Sequence, residues 1–392
     1  MHASDLDERR TAASNFDAPL SVILLLLAFG GLLVLYAASA VMASRWTGEA
    51  EFYFLKQLGW LGIGLCAMLV MALMPLHLLQ RIAPLAMMGS ILLLGLVWLP
   101  GIGHSVASSR DEFHRWLKIG SMTVQPSEFA KLALVLYTAW LIQRLNAFHQ
   151  SYDLKQLTVP AVLIAIQLVE VVLEPQYGTT LCLIVFLVLM IYISGFPVLR
   201  LALVFLAVVP LLVILVIFWE YRFARVYVWL DPWAHRYSGG YQLVTAFKAI
   251  AEGGWWGTAP GSGFAHRYLT FGHTDFVFAL FVEDFGLPGV IVLFGLFIAF
   301  LLRSWYLIRK LQHDTFAYAL GIGIILMLYI QIVLNIFVVT GLVPTTGVSL
   351  PWFSYGGSSL VVSMAMGGLL LNLGSIPPQT VELTKTRADD QT

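Results

Sequence analysis

FGHTDFVFALFVEDFG, residues 271–286, has the apolar composition of a membrane helix, yet it holds Asp275, Glu283 and Asp284. A carboxylate at bilayer depth is costly and is kept where it has a function or a partner. The apolar run continues to Leu302. As one helix, residues 275–302 would measure about 42 Å, roughly 10 Å more than the hydrocarbon of a bilayer. With Leu302 at one edge, Asp275 stands at or above the other. Glu283 and Asp284 lie about 12–13 Å further along the helix. They lie just before GLPG, where Gly286, Pro288 and Gly289 suit a bend or break. Asp275 is therefore the carboxylate expected to face water and cations. Glu283 and Asp284 are expected to be structural, pairing with a cation or capping the second helical piece.

The rest of the chain has the same character. Its 392 residues are 59% hydrophobic and 11% charged, with a mean hydropathy of +0.84. Soluble domains carry about 25% charged residues, so the expected class is an all-α polytopic membrane protein. A net charge of zero gives no sign of a nucleic-acid partner. Cys66 and Cys182 lie far apart in apolar runs and form neither a disulfide framework nor a metal spacing. The polar, partly acidic start and the long first apolar run read as a retained helix rather than a cleaved signal.

About ten runs are long enough to span, near 19–43, 58–75, 82–100, 127–147, 157–173, 178–195, 201–219, 275–302, 316–340 and 357–374. An even count places both termini on one side. Basic residues favour a cytoplasmic placement once the long 220–274 segment is set aside as translocated. The expected organisation is a cytoplasmic tail over 1–18, a transmembrane domain over 19–374 and a cytoplasmic tail over 375–392. A large extracytoplasmic loop, 220–274, joins helices 7 and 8; loops of this length are usually functional.

Polar residues gather at the end of the helices where Asp275 is expected. QPSEFAK opens the fourth helix, with Pro126 in its first turn and Gln125 or Ser127 as possible caps. Glu128 and Lys131 share one helix face. They form either a mutual salt bridge or, with Arg115 just before, a site for an anionic group such as a pyrophosphate. Arginine suits phosphate through its planar fork of donors. Arg115, Trp116 and Lys118 also fit an interfacial belt, as do Arg222 and Arg225. Gly257, Gly261 and Gly263 read as turns or as a phosphate cradle. Ser354, Tyr355, Ser358 and Ser359 read as hydroxyls lining the site or as a cap with close helix packing.

Four pieces carry a resemblance: RWLKIGSMTVQPSEFAK, DPWAHRYSGGYQ, HTDFVFALFVEDFG and NIFVVTGLVPTTGVSLPWFSYGGSS. In this order, over residues 17–375, they resemble the SEDS family (shape, elongation, division and sporulation), which includes FtsW and RodA. The resemblance implies ten transmembrane helices and a bacterial inner-membrane glycosyltransferase that polymerises lipid II, the undecaprenyl-pyrophosphate-linked disaccharide pentapeptide, into glycan strands. It implies a class B penicillin-binding protein as transpeptidase partner, among other divisome or elongasome membrane proteins. The family's essential aspartate corresponds to Asp275, within His273-Thr274-Asp275-Phe276. Its arginine before tryptophan corresponds to Arg115, its glutamate and lysine to Glu128 and Lys131, and a basic position to Arg144. His273, Thr274, Gln242, Ser354, Tyr355 and Ser358 join Arg115, Lys131 and Glu128 as expected substrate-binding residues.

The chain departs from the family pattern in places. EPQYG, residues 174–178, has Gln176 where an aspartate is usual. The segment before Arg115 and the glycine pattern after Trp256 are also irregular. The polar N-terminal extension and FYFLKQLGW resemble division-type more than elongation-type members, which would place the protein at the septum.

The mechanism this implies is an inverting glycosyl transfer. Asp275 is the general base on the acceptor hydroxyl, and Arg115 and Lys131 stabilise the departing undecaprenyl pyrophosphate. Paired carboxylates at a glycosidic bond lie about 5–10 Å apart, closer than Asp275 and Glu283 on a straight helix. A single base suffices when pyrophosphate leaves. A divalent cation (Mg or Mn) could assist at the pyrophosphate, although no dedicated metal cage is visible. Two other readings use the same residues: a lipid II flippase and a non-catalytic scaffold that activates a transpeptidase.

Overall fold

The computed structural model describes residues 16–99, 103–104, 115–120, 122–145, 154–174, 176–195 and 220–376. The chain opens with α1 (Ala18–Thr47), α2 (Phe52–Leu73) and α3 (Leu76–Leu96). A small antiparallel sheet follows, β1 (Gly103–His104), β2 (Trp116–Ile119) and β3 (Met122–Val124), in the order β1-β2-β3. Then come α4 (Pro126–Arg144), α5 (Leu154–Leu173) and α6 (Tyr177–Ile193). After the segment 196–219 lie α7 (Glu220–Leu230), α8 (Tyr241–Gly253) and the short α9 (Ala265–Tyr268). The chain closes with α10 (Val277–Ile308), α11 (Thr315–Val339) and α12 (Gly357–Gly374).

Six of the described helices are long and apolar enough to cross a membrane: α1, α2, α3, α10, α11 and α12. Thr158–Leu173 and Tyr177–Ile193 are shorter apolar helices. The protein is thus a polytopic helical membrane protein. The expected span at 201–219 lies outside the described residues.

Antiparallel order is set at the two ends of α1. Asp17 caps its start by accepting from Leu20 N at 2.9 Å. The same carboxylate takes the guanidinium fork of Arg303, near the end of α10, with Nε–Oδ1 at 2.9 Å and a second contact from Nη2 to Oδ2. A bidentate, charge-assisted pair of this kind fixes orientation as well as distance. At the other end Arg45 Nη1 donates to Arg267 O at 2.9 Å, and Trp46 meets the Phe271 ring edge-on. The end of α1 therefore lies beside the residues that lead into α10, and that end carries the candidate site.

The expected interruption of α10 is at Gly286, whose φ of 56° and ψ of −156° leave the helical region. The helix also runs past Leu302 to Ile308, because Arg303 is neutralised by Asp17 rather than ending the span. The piece from Leu287 to Ile308 is about 33 Å long, the thickness of a bilayer's hydrocarbon.

The centre of the bundle is α12, buried along almost its whole length. Small residues let its neighbours approach. A Cβ at Gly368 would stand 2.1 Å from Met68 O of α2, and one at Gly31 of α1 would stand 2.2 Å from Trp352 O. Asn372 Nδ2 fastens the far end of α12 to Met71 O at 3.0 Å and Met74 O at 2.6 Å. Without a hydrophobic drive between helices in lipid, such close packing carries association. Gly368→Val is therefore expected to destabilise the detergent-solubilised protein by about 1–3 kcal/mol, read as a lower Tm. Gly62→Val, which meets open space on α2, is expected to leave Tm unchanged.

Candidate active site

The site is assembled on the segment 341–356, which joins α11 to α12 without regular structure. Loops buried in a membrane protein need partners for their backbone groups, and here neighbouring side chains supply them. Asn335, near the end of α11, donates from Nδ2 to Val348 O at 2.6 Å and to Asp275 O at 2.9 Å. From α7, Trp229 Nε1 donates to Gly341 O at 2.8 Å and Arg225 Nη1 to Thr345 O at 3.0 Å. Gln57 of α2 donates to Ser354 O and accepts from Gly356 N, both at 3.3 Å. Gly178, in the first turn of α6, admits the loop so closely that a Cβ would lie 2.6 Å from Thr346 O.

Asp275 stands just before α10, against this loop. Gly347 has a φ of 70°, and a Cβ there would come within 3.4 Å of Asp275 Oδ2. The glycine thus serves both the left-handed turn and the close approach. Burial pushes the Asp275 carboxyl up to about 6, while the charges of Arg225 and then Arg115 pull it back down. Those two arginines come from α7 and from the residue before β2, so three separate segments place charge at one point.

His273 is buried beside Asp275. Its ring packs on Tyr53, with centroids 4.5 Å apart, and beside Tyr355 at 5.7 Å. Tyr355 N donates to His273 O at 2.8 Å. Burial lowers the His273 ring to about 4, so it is neutral at pH 7. Thr274 turns its hydroxyl back to Phe271 O at 2.7 Å.

The other expected binding residues are spread over two places. Lys131 and Glu128 lie inside the bundle, 2% and 5% exposed. They pair at 2.7 Å, and Lys131 Nζ also donates to Gln331 Oε1 of α11 at 2.6 Å. The mutual salt bridge is therefore present, and two of the three ammonium donors are engaged. Gln242 of α8 donates to Thr270 O at 3.1 Å, holding the approach to His273. Ser354 Oγ accepts from Leu350 N at 2.8 Å and Ser358 Oγ from Gln125 N at 3.0 Å. The expectation that these serines cap α12 is corrected, because Gly356 occupies the cap position with no side-chain hydrogen bond. Gln125 and Ser127 likewise do not cap α4. Their side chains donate to Gln176 Oε1 at 2.8 and 2.5 Å instead.

Three residues at the site escaped sequence reading. Arg225 resembled an interfacial anchor and is half-buried, tied to the loop and acting on Asp275. Asn335 is an isolated amide in an apolar helix, a signal that a buried partner exists. Glu174 is a wholly buried carboxylate at the end of α5. Arg222's side chain and residues 105–114 lie outside the described residues.

A family model described as "Cell cycle protein" (FtsW/RodA/SpoVE) matches residues 18–376. The chain belongs to the FtsW/RodA/SpoVE family. It is 32% identical over 371 residues to the probable peptidoglycan glycosyltransferase FtsW of Coxiella burnetii, covering 94% of this chain and 98% of the relative. It is 34% identical over 346 residues to the protein of the same name from Saccharophagus degradans, covering 88% of each. Among solved structures it is similar to a chain of a peptidoglycan synthase complex described as coordinating polymerization and crosslinking. That match has a TM-score of 0.73 at 29% identity and covers 92% of this chain and 97% of the other. The rod shape determining protein RodA of Thermus thermophilus shares the fold, with a TM-score of 0.64 at 24% identity over 92% of this chain and 96% of the other.

Within this FtsW/RodA/SpoVE member, the glycine-rich loop and the acidic pair of α10 explain one another. Glu283 Oε1 accepts from Ala265 N at 2.8 Å, and Asp284 Oδ1 accepts from Gly261 N at 3.0 Å. The ring of His266 stands 2.8 Å from Asp284 and 3.8 Å from Glu283. Gly263 leaves room for the Glu283 side chain, and Gly257 passes over Asp284 O with a φ of 77°. Of the glycines read as a phosphate cradle, Gly261 spends its amide on Asp284 and Gly257 donates to Gly253 O at 2.7 Å. The hydrogen bonds of Glu283 and Asp284 run to the 261–266 loop, not to the second helical piece that they were expected to cap. Asp284→Ala is expected to cost about 1–3 kcal/mol of stability. Limited proteolysis should then cut faster within 254–268, with the bundle left intact.

Proposed function

We propose that this protein polymerises lipid II by inverting glycosyl transfer with Asp275 as general base. It is a peptidoglycan glycosyltransferase, as its relatives' names indicate. The observation that carries the mechanism is the carboxyl of Asp275, set among Arg225, Arg115 and the 341–356 loop with its affinity for protons raised to about 6. At pH 7 such a group is mostly ionised, yet it is a stronger base than an ordinary carboxylate.

Asp275 takes the proton of the acceptor's sugar hydroxyl. That oxygen bonds to the anomeric carbon of the donor, and the bond from that carbon to the pyrophosphate oxygen breaks. The departing undecaprenyl pyrophosphate keeps the electron pair. Arg115 and Arg225 stabilise this charge with donors whose fork geometry suits phosphate. Lys131, paired with Glu128 and bonded to Gln331, keeps one ammonium donor for the leaving group. Neutral His273, between Tyr53 and Tyr355, shapes the wall beside the base.

A divalent cation would arrive with the substrate's pyrophosphate rather than be held by a cage of side chains. Among the described residues no three His, Cys, Asp or Glu groups come together to bind a metal. In the full arrangement ten helices cross the bacterial inner membrane, both termini are cytoplasmic, and the 220–274 segment lies outside between the seventh and eighth membrane spans. A class B penicillin-binding protein then crosslinks the strands at the division septum. The similarity to a synthase complex that couples polymerization to crosslinking supports such a partner.

Asp275→Asn is expected to abolish glycan product from purified protein and defined lipid II. Tm should not fall, because a buried charge is removed, and partner binding should survive. Product formed at the wild-type rate by this variant would reject Asp275 as the base. Lipid II movement across liposomes without product would instead mark a flippase. The pH profile gives a separate check. The rate should fall as pH drops through about 6, where Asp275 gains its proton. Arg225→Gln removes a charge that favours the ionised form, so this acid limb should move to higher pH.

A further inference from the structure

We infer that Trp255 and Trp256 form a membrane-interface anchor, seated in the lipid headgroup layer at the Asp275 end of the bundle. The stretch GGWWGTAPGSGFA, residues 253–265, carries no charged side chain. Its two tryptophans are 75% and 85% exposed. Each indole is a large apolar body with one N–H donor, and such a side chain is most stable where hydrocarbon meets water.

The pair is held on a fixed mount. It follows α8 directly, and Gly257 N closes the turn on Gly253 O at 2.7 Å. Leu287 N donates to Gly254 O at 3.2 Å. Thr258 donates from N and from Oγ1 to Glu283 O, at 2.9 and 3.1 Å. Gly286, at the break in α10, lies against the same turn, where a Cβ would stand 2.8 Å from Trp256 C. Hydrogen bonds on both sides of the two tryptophans therefore tie their backbone to the break. The indoles are presented by that backbone rather than hung from a slack loop.

The break gives their depth. The piece Leu287–Ile308 has the length of a bilayer's hydrocarbon, and residues 285–302 carry no charge. Leu287, Ile291, Ile298 and Leu302 recur at spacings of four and seven, so they share one helix face. All four are exposed, which leaves an apolar lane for lipid. Trp305 and Tyr306 continue that face at its far end and are also exposed. Arg303, Arg309 and Lys310 gather over the Tyr306 ring at 4.9, 5.0 and 4.1 Å. Aromatic rings with long cations mark one membrane–water interface. Trp255 and Trp256, bonded through Gly254 to the opposite end of the same piece, stand at the other. A second copy of the chain or a soluble protein would also cover two indoles. Neither explains why the pair is fastened to the first residue of a bilayer-length helix.

The test is tryptophan fluorescence of the full-length protein in nanodiscs of phosphatidylcholine and phosphatidylglycerol. A Trp255→Gln/Trp256→Gln double variant is the reference, with Tm as the control for folding. The wild-type signal minus that of the variant isolates the two indoles. The difference should be blue-shifted, quenched by lipids brominated near the glycerol end of the acyl chains, and shielded from aqueous iodide. A nitroxide on Trp256→Cys gives a second measurement that does not need the double variant. It is placed in a Cys66→Ser background, since Cys66 is exposed and Cys182 is buried. Its collisions with oxygen and with a water-soluble nickel chelate should place it at the glycerol region. A red-shifted difference quenched by iodide and not by bromolipid would overturn the inference, as would a nitroxide at aqueous depth. Indoles shielded only when a second copy or a transpeptidase is added would overturn it too, and would assign the surface to a protein. Neither readout involves activity, so a failure here is separate from a failure of the proposed chemistry.

Discussion

The side-chain amide of Asn335 donates to two backbone carbonyls at once, Asp275 O and Val348 O. That fork joins α11, the residues before α10, and the irregular 341–356 loop. Irregular backbone at membrane depth survives only when its polar groups are satisfied inside the protein. Asn335 begins that satisfaction, and Arg225, Trp229 and Gln57 continue it from two other helices. With the loop held, Gly347 can pass beside the Asp275 carboxyl, and the arginines have a fixed charge to face. Each contact is an ordinary hydrogen bond, but they share one short segment, so the site forms as a unit.

Charge is treated differently at different depths. Asp17 and Arg303 neutralise one another at the end of the bundle far from the site, and Glu128 and Lys131 do so within it. Glu283 and Asp284 receive backbone amides and a histidine from the glycine-rich loop. Asp275 feels the charges of Arg225 and Arg115 and, among the described residues, forms no closed ion pair. Asp17, Glu128, Glu283 and Asp284 each have a partner at rest, and the proposed base keeps its charge available for a substrate proton.

Much of this was visible before any coordinates. Apolar runs gave the helices because length and hydropathy are local properties. Helix geometry separated Asp275 from Glu283 and Asp284 and marked Gly286 as a break, and the structure places the break there. The less successful expectations concern caps. Gln125, Ser127 and Ser358 had the right chemistry at helix starts, yet their hydrogen bonds run to other helices. A cap is a local preference of modest strength, and a buried partner on a neighbouring helix outweighs it.

What the chain settles alone is its class and the spacing of its carboxylates along α10, because hydrophobic length and a 1.5 Å rise depend on near neighbours only. What folding decides is which polar groups meet. Arg225 looked like an interfacial anchor, and nothing in its spacing points to Asp275. Its significance comes from α7 meeting the 341–356 loop, where Arg225 donates to Thr345 O and its charge acts on Asp275. In a low-dielectric interior, proximity rather than residue type sets what a charge does, and proximity between distant segments exists only in the packed structure.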